Sequence, residues 1–324
     1  MDKLIKIEKA LFYFLVFAGF WQMRLVLTPA GRQFNEWTSF YFYATDFIII
    51  AILILWGIRV WGGANFNPPA PPFTRGVDAE VSLAQRGVGE LNIAIVFFLI
   101  FSALSLFIAQ DKALGFYRLI KLLEFVGLYF YVRYNFIKLF NWQKLWQCFI
   151  AGAVLQSLVA IAQFFTQKSL GLKFFAESPI GPNIDGAAKI VVNGVKIVRA
   201  YGLVPHPNIL AAILMAAIFG IVWLWLINKS VIPAKVVYPD ARRAGIHDPG
   251  SRIKGGIMQG RIKNLLFIII FVILSSALFF TFSRSVIVIG YFSISGWLIY
   301  LWRVKEFRKR IILIGILLFI VYCL

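Results

Sequence analysis

The sequence predicts an all-α fold: a polytopic transmembrane helix bundle of about nine spans, with a cytoplasmic N-terminus. Three observations predict it. Of 324 residues, 60% are hydrophobic and 17% aromatic, and mean hydropathy is +0.81, well above the apolar content of an average soluble chain. The apolar residues cluster in runs long enough to cross roughly 30 Å of hydrocarbon. The Lys and Arg residues lie mostly between those runs, with the basic short loops falling on one side, as the positive-inside rule requires.

The predicted spans are 9–28, 43–61, 91–109, 113–133, 144–166, 207–228, 264–282, 285–302 and 311–324. Lys3, Lys6 and Lys9 place the N-terminus in the cytoplasm, and parity then assigns every loop. The 229–263 loop is predicted cytoplasmic. It holds Lys229, Lys235, Arg242, Arg243, Arg252, Lys254, Arg261 and Lys263 against Asp240 and Asp248 alone. The Arg303–Arg310 turn, with five basic residues against Glu306, and the turn carrying Lys138 and Lys144 fall on the same side. The first apolar run lacks a small-residue cleavage site, so no cleavable signal peptide is expected.

This arrangement accounts for the net charge of +19 without nucleic acid. No nucleic-acid motif or zinc spacing accompanies the charge, so neither nucleic acid nor a metal or other cofactor is expected. Cys148 and Cys323 fall near opposite predicted membrane faces, so no disulfide between them is expected. Residues 62–90, with Pro68, Pro69, Pro71 and Pro72, read as a cytoplasmic linker. The basic, Gly-rich stretch Tyr238–Gly260 reads as an insertion without a folded module. The third long loop, 167–206, is predicted outside.

Charged side chains within spans are costly and deserve a functional reading first. Arg118, Lys121 and Glu124 form one stripe on the fourth span. The leading expectation there is a Lys121–Glu124 pair that fixes helix packing. Asp46 and Arg24 lie near outer span ends, where snorkelling to the interface explains them.

Two clusters stand apart. Val198-Arg199-Ala200-Tyr201-Gly202-Leu203-Val204-Pro205-His206-Pro207-Asn208 closes the outer loop and opens the sixth span. Pro207 suits a helix start, and the helix N-terminus then favours an anion. Arg199 adds a planar fork suited to phosphate oxygens. The plainer readings are a solvated Arg199 and a capping or anchoring His206. The second cluster, Thr281-Phe282-Ser283-Arg284-Ser285, is a tight turn on the same predicted side. Its arginine needs a carboxylate or a phosphate as partner.

At these residues the chain resembles the O-antigen ligase and O-antigen polymerase family. "VRAYGLVPHPNILAAIL" at 198–214 is similar to the family's Arg-x-x-Gly-x-x-x-His-Pro-Asn signature, and "FTFSRSVIVIG" at 280–290 to its Ser-Arg signature. "FNEWTSFYFYATDFIII" at 34–50 and "QFFTQKSLGLKFFAESPIG" at 163–181 extend the likeness over nearly the whole chain. The resemblance implies a metal-independent, inverting membrane glycosyltransferase of the bacterial inner membrane. It would take a glycan from undecaprenyl pyrophosphate at the periplasmic face and pass it to a lipid or glycan acceptor. Two arginines of the family are thought to hold the donor pyrophosphate, and they match Arg199 and Arg284. His206 and Asn208 join them as donor-binding candidates.

The family's catalytic histidine lies on a large periplasmic loop that would follow the span at 311–324. The expectation is therefore a chain truncated before that loop, with the donor half of a site. His247 is on the predicted cytoplasmic side and His206 belongs to another motif, which leaves Glu177 as a weak candidate base. The rivals are a non-catalytic flippase or exporter of lipid-linked glycans and an inactive remnant. A flippase should show internal repeats, and none is evident.

The charge pattern predicts that a reporter fused after Ser230 reads cytoplasm and one fused after Gly181 reads periplasm. Two fusions on one side would break the span count.

Overall fold

A computed structural model describes residues 2–21, 23–27, 40–62, 92–227 and 249–323. Nine helices occur among them: α1 (Asp2–Ala18), α2 (Ala44–Trp61), α3 (Asn92–Phe107, its last turn 3₁₀), α4 (Lys112–Leu139), α5 (Trp142–Thr166), α6 (Pro207–Ile227), α7 (Pro249–Phe280), α8 (Arg284–Leu301) and α9 (Arg308–Cys323). Strands are confined to two antiparallel ribbons, β1 (Arg24–Val26) with β2 (Tyr41–Tyr43), and β3 (Lys189–Val192) with β4 (Val195–Val198). The all-α class therefore stands. Among the described residues, five helical segments are long and apolar enough to cross a membrane: α2, α5, α6, Ile262–Phe280 of α7, and α8.

Three expectations change. The first predicted span, 9–28, is not one helix: α1 stops at Ala18, and Arg24 lies in β1, opposite Tyr43. Strand pairing, not snorkelling from a helix end, accounts for where Arg24 sits. The predicted insertion also gives way in part. Residues 249–260 form the opening turns of α7, which runs on without a break into the apolar segment Ile262–Phe280. Residues 238–248, His247 and the proline-rich linker lie outside the described residues. Finally, Asp46 is buried and accepts a hydrogen bond from the Tyr43 N–H (2.6 Å) at the start of α2. It forms an ion pair with Lys121, which makes it a core group and not an interfacial one.

The chain forms two compact units, Met1–Leu145 and Trp146–Leu324. In the first, α1, α2 and α4 pack around Phe12, Ile49, Ile52 and Tyr131. A charge network is sealed inside it. Arg59 makes a bidentate contact with fully buried Glu8 (2.9 and 2.8 Å) and a third bond to Asn135. The pair is electrically balanced and its lone pairs are used, which is the condition under which a buried ion pair is tolerated.

In the second unit, α6 is the central helix, apolar on nearly all sides and mostly buried. Its packing demands a small residue. A Cβ on Gly220 would stand 2.2 Å from the Trp146 ring, so α5 approaches α6 as closely as membrane helices with small interfacial residues do. Successive helices run in opposite directions. Phe164 of α5 stacks on Phe280 at the end of α7 (4.2 Å). At the other end, Arg310 of α9 donates to the Trp225 and Leu226 carbonyls that end α6 (2.8 and 2.6 Å). Trp225 there donates to Asn264 of α7 (3.0 Å).

Candidate functional site

The loop between α5 and α6 is an ordered structure with its own small core of Ile180, Val198 and Tyr201. The β3–β4 hairpin turns at Asn193-Gly194, both with positive φ (51° and 79°), as a two-residue hairpin turn requires. The Tyr201 hydroxyl accepts the Ala188 N–H (2.6 Å), and the Arg199 N–H donates to the Ala188 carbonyl (3.1 Å). Together these contacts fix the strand that delivers Arg199.

Gly202 sets the path from that strand into α6. Its φ is +64°, and a Cβ there would stand 2.6 Å from Gln156 Oε1. Buried Gln163 grips both of its backbone groups. Gln163 Oε1 accepts the Gly202 N–H (2.8 Å), and its Nε2 donates to the Gly202 carbonyl (2.9 Å). Gln156, also buried, accepts the Leu203 N–H (2.7 Å). An unmet backbone group in such surroundings costs about 1–3 kcal/mol, so the two glutamines of α5 hold the turn firmly.

Beyond this turn, the two sequence clusters meet. The Arg199 Nε–H donates to the Thr281 carbonyl (2.6 Å), and Arg199 Nη2 donates to Asn208 Oδ1 (2.7 Å). The adjacent Ala200 N–H donates to the Phe280 carbonyl (2.9 Å). Arg199 and Ala200 thus satisfy two of the carbonyls left open where α7 ends. Phe282 takes a left-handed φ of 49°, unusual for a bulky residue. It lies against Phe164 and Phe279, and α8 begins two residues later at Arg284. Thr281 is three residues from Arg284, so their Cα atoms are within about 11 Å.

Arg199 is half-buried, and that burial lowers its pKa from the ordinary value, with Tyr201 acting in the opposite sense. It stays a cation in any accessible pH range, and its partial desolvation strengthens its pull on an anion. Two of its five N–H donors are engaged, which leaves three for a ligand. Arg284 is exposed. Neither arginine has an ion-pair partner among the described residues.

His206 is exposed, and its Nδ1 accepts the Asn208 N–H (3.2 Å). This is the capping role, and it puts the proton of the neutral ring on Nε2 as an outward donor. Glu177 is used structurally. Its Oε1 accepts from Gln163 Nε2 (2.8 Å) and the Leu170 N–H (2.7 Å), and its Oε2 accepts the Leu172 N–H (2.7 Å). No cluster of three or more His, Cys, Asp or Glu suited to a metal occurs among the described residues.

The structure brings Arg199, Asn208, His206 and the Arg284 turn to one end of the second unit, and it ties Glu177 into the loop beneath them. Sequence reasoning missed Gln156 and Gln163. Their spacing of seven, which puts both on one face of α5 two turns apart, was the available signal. Compared with family models, curated proteins and solved structures, the chain matches none of them.

Gly202→Ala should destabilise the fold by about 2 kcal/mol or more, because it adds left-handed strain to a steric clash. The expected readout is a melting temperature in detergent several degrees below wild type; an unchanged one would remove the clamp from this account.

Proposed function

We propose that the chain is a glycosyltransferase of the O-antigen ligase and polymerase type in the bacterial inner membrane. It moves a glycan from undecaprenyl pyrophosphate to a lipid or glycan acceptor at the periplasmic face. One observation carries this reading. Two arginines, without carboxylate partners among the described residues, stand with the N-termini of α6 and α8 at one end of the second unit. Two cations and two positive helix ends in one place call for a polyanion.

The sidedness of that anion site rests on charge. In the second unit the basic turn at 303–310 and the Arg199 end belong to opposite ends of antiparallel helices. With the basic turn cytoplasmic, Arg199 and Arg284 face the periplasm. The proposed topology is nine spans, and the same rule places the N-terminus, with Lys3, Lys6 and Lys9, in the cytoplasm.

The acceptor hydroxyl oxygen attacks the anomeric carbon. The bond from that carbon to the pyrophosphate oxygen breaks, its electron pair leaves with the lipid pyrophosphate, and the proton of the acceptor hydroxyl passes to solvent water. Arg199, Arg284 and the His206 Nε2–H stabilise the charge that develops there. Preorganised donors of this kind are each worth about 2.7–4 kcal/mol in other enzymes. Asn208 and the Thr281 carbonyl orient the Arg199 fork. No base is assigned, since three hydrogen bonds already occupy Glu177.

In nanodiscs, the full chain should bind undecaprenyl pyrophosphate. Arg199→Lys and Arg284→Lys should each raise Kd about tenfold or more, because lysine keeps the charge but loses the fork. Wild-type affinity in both variants would refute the donor site.

A further inference from the structure

The first unit holds a polar cluster that the donor reading does not use. Asp46 of α2 is 3% exposed and Glu124 of α4 is 7% exposed. Lys121 lies between them. It forms an ion pair with Asp46 Oδ2, and its Nζ is 3.8 Å from Glu124 Oε2. The expected Lys121–Glu124 pair is therefore the weaker of two contacts, and the stronger one crosses to another helix.

Rings from β2 and α4 surround the ammonium. Its Nζ is 4.9 Å from the centre of Phe42, 5.9 Å from Tyr117 and 6.0 Å from Tyr43. The Tyr117 hydroxyl donates to the Tyr41 carbonyl and accepts the Tyr41 N–H (3.3 Å), so its proton is not free for Glu124. Glu124 Oε1 is buried without a hydrogen-bond partner. Among the described residues, the ionised groups acting on Glu124 are Asp46 and Lys121; the Tyr41, Tyr43 and Tyr117 phenols are neutral.

The charges do not balance. Two carboxylates share one ammonium, so ionised Glu124 would leave a net negative charge sealed from water, with one oxygen bare. A buried charge is retained only when it is paired and hydrogen-bonded. The Glu8–Arg59 pair in the same unit meets that condition, one charge against one. Lys121 is already committed to Asp46. A single proton removes the surplus charge, and an unpaired oxygen on a neutral carboxyl costs far less than one on a carboxylate.

We propose that Asp46, Lys121 and Glu124 form a protonation site, in which one exchangeable proton on the Glu124 carboxyl completes the cluster. Loss of that proton sets Glu124 in competition with Asp46 for Lys121. The site thus couples proton release to the contact that joins the start of α2 to α4. It is independent of the donor reading, because none of its residues belongs to the arginine site.

The test is an infrared difference spectrum of the full chain in nanodiscs at neutral pH, wild type minus Glu124→Gln. The expected result is a carbonyl-stretch band of a protonated carboxyl that shifts in D2O and is absent from the variant. Glutamine is neutral and nearly isosteric with the protonated acid, so the variant should melt at the wild-type temperature. In Asp46→Asn, which keeps a side chain able to cap α2, the band should also vanish, because Lys121 then has one carboxylate left to neutralise. A wild type without the band, a Glu124→Gln chain that fails to fold, or a band that persists in Asp46→Asn would overturn the proposal.

Discussion

One carboxamide, that of Gln163, holds both backbone groups of Gly202, and the arginine-bearing end of the second unit depends on that grip. An apolar helix can offer few polar partners to a loop that packs on it, and backbone groups left unmet there are expensive. Gln163 and Gln156 resolve the conflict at the point where the chain must reverse into α6. With Gly202 held in its left-handed turn, β4 ends where Arg199 reaches the last carbonyls of α7. Asn208, the second residue of α6, then meets the same guanidinium. A side chain on Gly202, or a shorter one at 163, would misplace all of these together.

The same logic separates the two kinds of charge in this chain. Glu8 and Arg59 satisfy each other inside the first unit and have no need of a ligand. Among the described residues, Arg199 is met by neutral groups and Arg284 is exposed, and neither has an ion-pair partner. Asp46, Lys121 and Glu124 fall between these cases, one charge out of balance. The way each group is paired, and not its mere presence in an apolar segment, distinguishes packing from chemistry.

Much of this was legible from the sequence, and the reasons are particular. Long apolar runs marked α2, α5, α6 and α8 to within a few residues, because crossing hydrocarbon forces length and composition together. Pro207 marked the start of α6, and the 198–208 and 281–285 clusters named the residues that meet. What sequence could not supply was long-range pairing. Arg199 bonds to a backbone carbonyl 82 residues away, and a carbonyl carries no signature of its residue type. Lys121 chose Asp46, 75 residues distant, over a neighbour one turn along. The first span failed for a different reason. Its apolar run continued past Ala18, and periodicity alone does not separate a helix from the β1 strand that follows.

The most direct test is a structure of the chain with undecaprenyl pyrophosphate bound. The account predicts the pyrophosphate between Arg199 and Arg284, with oxygens about 2.7–3.2 Å from both guanidinium groups. A pyrophosphate bound elsewhere, or guanidinium groups more than roughly 15 Å apart, beyond what one pyrophosphate and its two contacts can span, would contradict it.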